Sequence, residues 1–366
     1  MNICILGDGL TGLTVSKSLV NKKLKVFMYY QKNKYFKDSS TRTVGISKNN
    51  FDFFNNKVAK FKSHMFCKIK KIEVYSEKNK NEKILEFERL GKELFYILKN
   101  ETIHHLLEKE LKRNPLFKKK LIKNNNFYKK ILNEKKFDLI INCDGNNIIS
   151  KNIFYKKIFK DYKSSAYTAL IKHKKIINDK AIQIFTKNGP IAFLPISNNE
   201  TSVVFSKVNN KDQFNSIKLE NIIFKYAVKY KIKNISKIKK FPLILSISRK
   251  YFEKNIMALG DALHKIHPHA GQGFNMTLRD IKILSNIIDE RLNLGLPLDY
   301  SIYEKFENKT KHFNFIFSTG IDLIYEFFKI NNKMNNNLPN KIVKLIGNNK
   351  FFNEVFSKYA DKGITI

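Results

Sequence analysis

Residues 260 to 280, GDALHKIHPHAGQGFNMTLRD, hold three histidines, three glycines and two aspartates. Such a stretch could serve a metal ion, a histidine acid–base centre, or a loop that holds a flat, charged ligand. His264, His267 and His269 are spaced H-x-x-H-x-H, but Pro268 and the glycines rule out a helix that would aim two imidazoles at one ion. No Cys or Glu lies nearby, so no metal is expected. Nothing resembles a nucleophile elbow either. The flat-ligand reading uses more of the residues. Gly260-Asp261 offers a small residue and then a carboxylate suited to a polyol, and Gly271-Gln272-Gly273 lets the backbone approach a planar ring. Phe274, Leu278, Ile281, Leu284 and Ile288 mark the buried face of a helix. Its positive N-terminus would stabilise an anion on a ring edge by about 0.3–2 kcal/mol.

A second glycine pattern stands at the start of the chain. Ile3 to Leu6 reads as a buried strand, followed at once by Gly7-Asp8-Gly9-Leu10-Thr11-Gly12. A helix with Leu13, Leu19 and Val20 comes next, then an apolar strand from Leu24 to Tyr29. A G-x-G-x-x-G turn in a β-α-β unit binds a dinucleotide: one glycine makes the turn, one admits the pyrophosphate, one lets helix and sheet pack. The carboxylate that ordinarily ends the second strand and holds a ribose is missing, and Tyr30 occupies its place.

The remaining elements frame these two patterns. Residues 51 to 90 alternate and read as short strands, while 100 to 112 read as a helix with Ile103, Leu106, Leu107 and Leu111 on one face. Phe137 to Gly145 reads as a buried strand ending in Asp144-Gly145, placed to deliver a carboxylate to the sheet's carboxyl edge. From Ala166 to Ser206 the texture becomes β-branched and alternating, which predicts a second, mostly antiparallel domain inserted into the first. Ile256 to Leu259 then returns the chain to the first domain. Lys123 to Lys130 reads as loop, and the tail beyond Tyr300 as helix, with Phe313, Phe317, Ile321, Ile324, Tyr325 and Phe328 at helical spacing.

Composition narrows the partners. The 366 residues carry a net charge of +37, yet only six of the 69 basic residues are arginine. Base readout leans on arginine's planar fork, so specific nucleic-acid binding is not expected, whereas a broadly basic surface suits an anionic membrane. Cys4, Cys67 and Cys143 are far apart, which fits a reducing cytoplasm rather than a disulfide framework. No apolar run is long enough to span a bilayer, and no leader is expected before the first strand.

The 260–280 stretch resembles the second FAD motif of the single-component flavin monooxygenases, above all the aromatic-ring hydroxylases of ubiquinone biosynthesis. The N-terminal glycines, Arg42 within Thr41 to Ser47, Asp144-Gly145, and the run from Phe185 to Pro195 are similar in the same order. Ile148 and Lys151 depart from the family's Ser and Arg after Asp-Gly. The resemblance implies an α/β fold: a Rossmann-like FAD-binding domain, an inserted antiparallel β-sheet domain for the substrate, and C-terminal helices. Residues 1–60, 91–160 and 245–300 would form the first, 61–90 and 161–244 the second, and 301–366 the last.

It also implies an FAD-dependent monooxygenase that hydroxylates a polyprenylated phenol through a flavin C4a-hydroperoxide, using O₂ and transient NAD(P)H or another donor. Gly7, Gly9, Leu10, Thr11, Gly12, Tyr30, Asp144 and Gly145 would serve the ADP half. Arg42 would meet the flavin or its phosphates, and Gly260 and Asp261 the ribityl chain. Gly271, Gln272, Gly273, Phe274 and Asn275 would hold the ring edge, with Pro268 and His267 near the reacting face. Gly189, Pro190 and Phe193 would cover the substrate. Partners would be a polyprenyl-phenol or quinone precursor, and an anionic membrane surface or a ubiquinone-biosynthesis complex. The location would be cytoplasmic or peripheral on the inner membrane. Two alternatives stay open: a hydroxylase of a soluble aromatic acid, and a catalytically weakened flavoprotein scaffold.

Overall fold

The computed structural model describes residues 1–31, 41–77, 82–88, 93–122, 124, 126–133, 136–208, 216–266 and 272–333. Two large sheets dominate it. The first holds five parallel strands in the spatial order Ile256–Ala258, Leu139–Asn142, Asn2–Leu6, Lys25–Tyr30, Phe117–Leu121, with Phe252–Glu253 antiparallel at the near edge. Ile3, Cys4, Ile5, Leu6, Leu139, Ile140 and Ile141 are all fully buried, as parallel strands covered on both faces must be. Counted along the chain, these strands lie in the order 3-2-1-4-5. The direction of winding reverses between Asn2–Leu6 and Leu139–Asn142, so a crevice opens there at the strands' carboxyl ends.

Helices Leu10–Val20, Asn100–Lys112 and Gln272–Asn293 pack around this sheet. Ser18 and Ser285 meet with their hydroxyls 3.4 Å apart, small side chains that let two helices approach. The long helix Ser301–Lys333 packs on Gln272–Asn293 and buries Ile302, Tyr303 and Phe306 in the same core.

The second sheet has nine strands and is antiparallel except where Lys180–Thr186 pairs with Lys71–Ser76. Its central strand, Lys157–His173, pairs with Glu200–Val208 on one side and Lys239–Ser248 on the other. Lys157–His173 and Lys239–Ser248 run past the boundaries expected at 160 and 244, and His264–Lys265 adds to the same sheet from the motif segment. One face is covered by helix Ser216–Tyr226 through Leu219 and Ile223. The other meets a small sheet of Thr43–Ser47, Phe95–Lys99 and Phe66–Ile69. There Thr41 bonds Thr168 at 2.9 Å and Thr43 donates to Ser202 at 3.0 Å.

Two expectations fail. Lys48–Lys57 is a helix, not strand, because Phe51 and Phe54 recur at helical spacing and stack on Phe61. Part of the expected loop at 123–130 is helical as well: Asn126–Asn133 turns Tyr128 and Ile131 into the core. Among the described residues no helix is long and apolar enough to cross a membrane.

Candidate functional site

Three loops leave the carboxyl ends of adjacent strands and close on one another. Gly7 has φ +104°, and a Cβ on it would lie 3.0 Å from the Cβ of Asp144. A Cβ on Gly145 would lie 2.5 Å from the carbonyl oxygen of Asp261. Gly260, at φ +60°, packs so closely on Thr11 that a side chain there would overlap it, and a side chain on Gly12 would overlap the carbonyl of Gly7. The contacts Gly7–Asp144, Gly145–Asp261 and Gly260–Thr11 therefore bring the first glycine motif, Asp144-Gly145 and Gly260-Asp261 to one place.

The Asp144 turn is held by residues that sequence reasoning missed. Asn142, buried at the end of its strand, accepts from Asn147 at 2.7 Å and donates to Ser150 at 2.8 Å. Ser150 donates to the Asp144 carbonyl at 2.6 Å, and the Asp144 carboxylate accepts from the Asn146 N–H at 2.8 Å. The signal available was a polar Asn closing an otherwise apolar run. Burial raises the pKa of Asp144. The Asn146 N–H and Lys265 oppose that shift, while Asp261 and Asp8 add to it.

Helix Leu10–Val20 starts at Gly9 with no side-chain cap and no acid in its first turn. The N–H groups of Leu10, Thr11 and Gly12 have no acceptor within the helix, which leaves a site for an anion. Asp8 could have opposed that anion, but it pairs with Lys119 at 2.9 Å. Lys119 also holds Glu108 at 2.7 Å and stands 4.4 Å from the centre of the Tyr30 ring. Where the ribose-binding carboxylate was expected, the chain thus places a phenol with a cation on its face. His104 lies 3.3 Å from the Asp8 carbonyl, and burial lowers its pKa.

Arg42 leaves the chain one residue before Thr43–Ser47. Its guanidinium lies 3.9 Å from the centre of the Phe241 ring, a strand residue of the large sheet. Protein surrounding the head group lowers its pKa, and the Asp261 carboxylate works against this. The side chain nevertheless keeps access to solvent, between the small sheet it leads into and the strand Lys239–Ser248, on the side of the crevice where Asp261 lies. Asn275 is buried, and its amide is taken up by protein. It donates to the Gly45 carbonyl at 2.6 Å and accepts from the Ser47 N–H at 2.9 Å and from Asn50 at 3.0 Å. This residue ties the motif helix to the strand that carries Arg42.

Gly273 lies in the first turn of that helix and Phe274 packs half-buried on the main core, while Gln272 begins the helix. Leu278, Ile281, Leu284 and Ile288 are buried as the periodicity predicts. His264 bonds Asp280 at 2.7 Å, both wholly inside the protein, and Asp280 also accepts from Asn314 at 3.2 Å. His267, Pro268 and Gly271 lie outside the described residues. Gly189 and Pro190 sit at the turn end of Gly189–Ser197. Phe193 does not reach the cleft. It is 1% exposed and stacks on Tyr230 beneath the covering helix. Strand alternation turns Ala192 and Leu194 to the opposite face. Among the described residues no group of three His, Cys, Asp or Glu could hold a metal.

A Rossmann-type crevice with glycine loops at its switch point, joined to a second, mostly antiparallel sheet, is an architecture this chain shares with solved monooxygenases. Residues 138–294 match the FAD binding domain family. The described cradle fits FAD: Gly7, Gly12, Gly145 and Gly260 stand where a side chain would collide, and the first turn of Leu10–Val20 has no side-chain cap and no acid to oppose a pyrophosphate. The chain is 27% identical over 209 residues to 3-demethoxyubiquinol 3-hydroxylase of Escherichia coli, covering 55% of this chain and 52% of the relative. It is 25% identical over 262 residues to the ubiquinone biosynthesis monooxygenase COQ6 of Dictyostelium discoideum, covering 57% and 53%. The matches thus span about half the length of these curated relatives. Among solved structures, p-nitrophenol 4-monooxygenase PnpA of Pseudomonas putida has the same fold, with a TM-score of 0.76, 9% identity and coverage of 100% of this chain and 98% of that one. So does PqsL of Pseudomonas aeruginosa, a probable FAD-dependent monooxygenase, at 0.71 and 13%, covering 94% and 98%.

Proposed function

We propose that this protein is an FAD-dependent monooxygenase that hydroxylates the aromatic ring of a polyprenylated phenol or quinone precursor in ubiquinone biosynthesis. The observation that carries the reading is the closure of the three loops around Gly7, Asp144 and Gly260 at the switch point. Relatives named as ubiquinone hydroxylases supply the substrate class. The uncapped helix start at Leu10 to Gly12 binds the pyrophosphate, and Asp144 and Asp261 hydrogen-bond hydroxyls of the sugar and the ribityl chain. Arg42 sets a positive charge beside the cleft. Gly273 and Phe274 shape the wall against which the ring edge rests, and Asn275 fixes that wall to Gly45 and Ser47. FAD held here and reduced with two electrons from NAD(P)H or another donor would activate O₂, which supplies one oxygen atom to the product and one to water. The sheet face that carries Thr168 and Ser202 excludes water above the ring. Arg42 is held over the Phe241 ring in the field of Asp261, which leaves its guanidinium less available to a substrate carboxylate. That favours a neutral phenol over an aromatic acid.

The purified chain should show a flavin absorption spectrum and release FAD on denaturation. With a reduced nicotinamide, a short-chain prenylphenol should speed oxygen consumption and yield a product heavier by one oxygen. A protein that stays colourless in excess FAD overturns the reading, and stimulation by a soluble aromatic acid alone overturns the substrate.

A further inference from the structure

The far end of the inserted domain carries a surface for which the cleft chemistry has no use. Helix Ser216–Tyr226 buries Leu219 and Ile223 in its domain, and Ala227 follows them inward. Its outer side exposes apolar residues: Ile217 and Phe224 on the helix and Val228 just past its end are 65%, 54% and 79% exposed and recur at helical spacing, with Asn221 among them. Phe224 and Val228 border a concavity of about 450 Å³ together with Ile232 and three lysines, Lys174, Lys231 and Lys233. None of these lysines pairs with a carboxylate among the described residues. Another exposed apolar site, Leu294 and Tyr300, differs in this respect. Asp289, Glu290 and Asp299 around it are matched by Lys22, Lys305 and Arg291.

We propose that this surface docks the protein on an anionic lipid bilayer. Phe224 and Val228 enter the boundary between headgroups and acyl chains, and Lys174, Lys231 and Lys233 lie against lipid phosphates. The long lysine stems cover apolar surface while their ammonium groups stay at the phosphates. Charge selects this occupant: a second copy would bring the same unpaired lysines, on a chain of net charge +37, against one another. The inference deepens the function proposed above and rests on it only for the reason a bilayer is visited, since a polyprenylated phenol resides there.

The chain has no tryptophan, so Phe224→Trp supplies a single reporter in it, and Tyr300→Trp, at a 57% exposed site, supplies its control. With vesicles of phosphatidylcholine and phosphatidylglycerol in equal parts, the Phe224→Trp emission should shift to the blue and be quenched by brominated acyl chains. Pure phosphatidylcholine should do neither, high salt should reverse the effect, and the control should not respond. The double variant Phe224→Ser, Val228→Ser should lower vesicle partitioning about tenfold or more with its lysines intact. Flavin absorbance read in the same samples separates the two ideas, because loss of FAD with docking retained removes the enzyme reading alone. Vesicle binding without quenching at position 224 overturns the proposal, since another face then binds. Concentration-dependent self-association abolished by the double variant overturns it in favour of a second copy.

Discussion

The carbonyl oxygen of Asp261 lies 2.5 Å from the point where Gly145 would carry a Cβ. The fourth and fifth strands therefore reach their carboxyl ends in backbone contact, and the loop bearing Asp261 is set by the absence of one methyl group. Gly145→Ala must push these loops apart. Forced overpacking costs about 1–3 kcal/mol, and here the strain falls on the cofactor cradle. FAD affinity, followed by quenching of flavin fluorescence, should weaken about tenfold or more, with circular dichroism unchanged. An unaltered dissociation constant would mean that this contact does not shape the cradle.

Asp144 predicts a pH dependence. Burial holds its folded pKa above the ordinary carboxylate value of 3.8, so the charged form is disfavoured in the folded protein. The cost is absent below the unfolded pKa, where the group is protonated in both states, and grows as pH rises through the raised folded value. Asp144→Asn should therefore raise the melting temperature of the FAD-free protein at neutral pH, with the gain fading as pH falls below about 4. FAD affinity should fall in the same variant. A stabilisation independent of pH would assign the effect to something other than the buried charge.

The N-terminal strand, glycine turn and helix, the helix at 100–112 and the buried strand at 139–142 were legible because hydrophobic period and turn chemistry are local properties. Phe193 was misplaced because a strand's two faces differ by one residue, and alternation alone does not say which face meets the cleft. The helix at Lys48–Lys57 was hidden by adjacent phenylalanines, since Phe51, Phe53 and Phe54 fit either period. Thr41 with Thr168, and Asp8 with Lys119, were not legible at all. Each joins segments whose approach depends on the finished fold.

Asn275 shows how such partners could matter more than direct ligands. Its amide makes bonds of 2.6, 2.9 and 3.0 Å to Gly45, Ser47 and Asn50. Asn275→Ala removes the donor to the Gly45 carbonyl and the acceptor of the Ser47 N–H, at a cost of about 0.5–1.5 kcal/mol per hydrogen bond. The denaturation midpoint should drop, and bound FAD should dissociate faster because the strand leading from Arg42 loses its tie to the motif helix. Asn275→Asp retains the acceptor for Ser47 but loses the donor to Gly45, so it should fall between the two. A variant that keeps wild-type stability would show that the ties at Thr168 and Ser202 suffice.

Tyr30 offers the converse test, a gain rather than a loss. A carboxylate at the end of the second strand hydrogen-bonds the ribose in this fold, and a bond to a charged group contributes about 1.5–3 kcal/mol. In Tyr30→Glu the new carboxylate would stand near Lys119, 4.4 Å from the present ring centre, but that ammonium already serves Asp8 and Glu108. Partial competition for the cation should hold the gain near the lower end, about tenfold tighter FAD binding. FMN, which lacks the adenosine half, should bind Tyr30→Glu as it binds the parent. Tyr30→Phe separates the remaining possibilities: weaker FAD binding would show that the phenol hydroxyl holds the ribose, and unchanged binding that the ribose is held by other groups. Equal or weaker affinity in Tyr30→Glu would mean that the second strand does not meet the ribose in this chain.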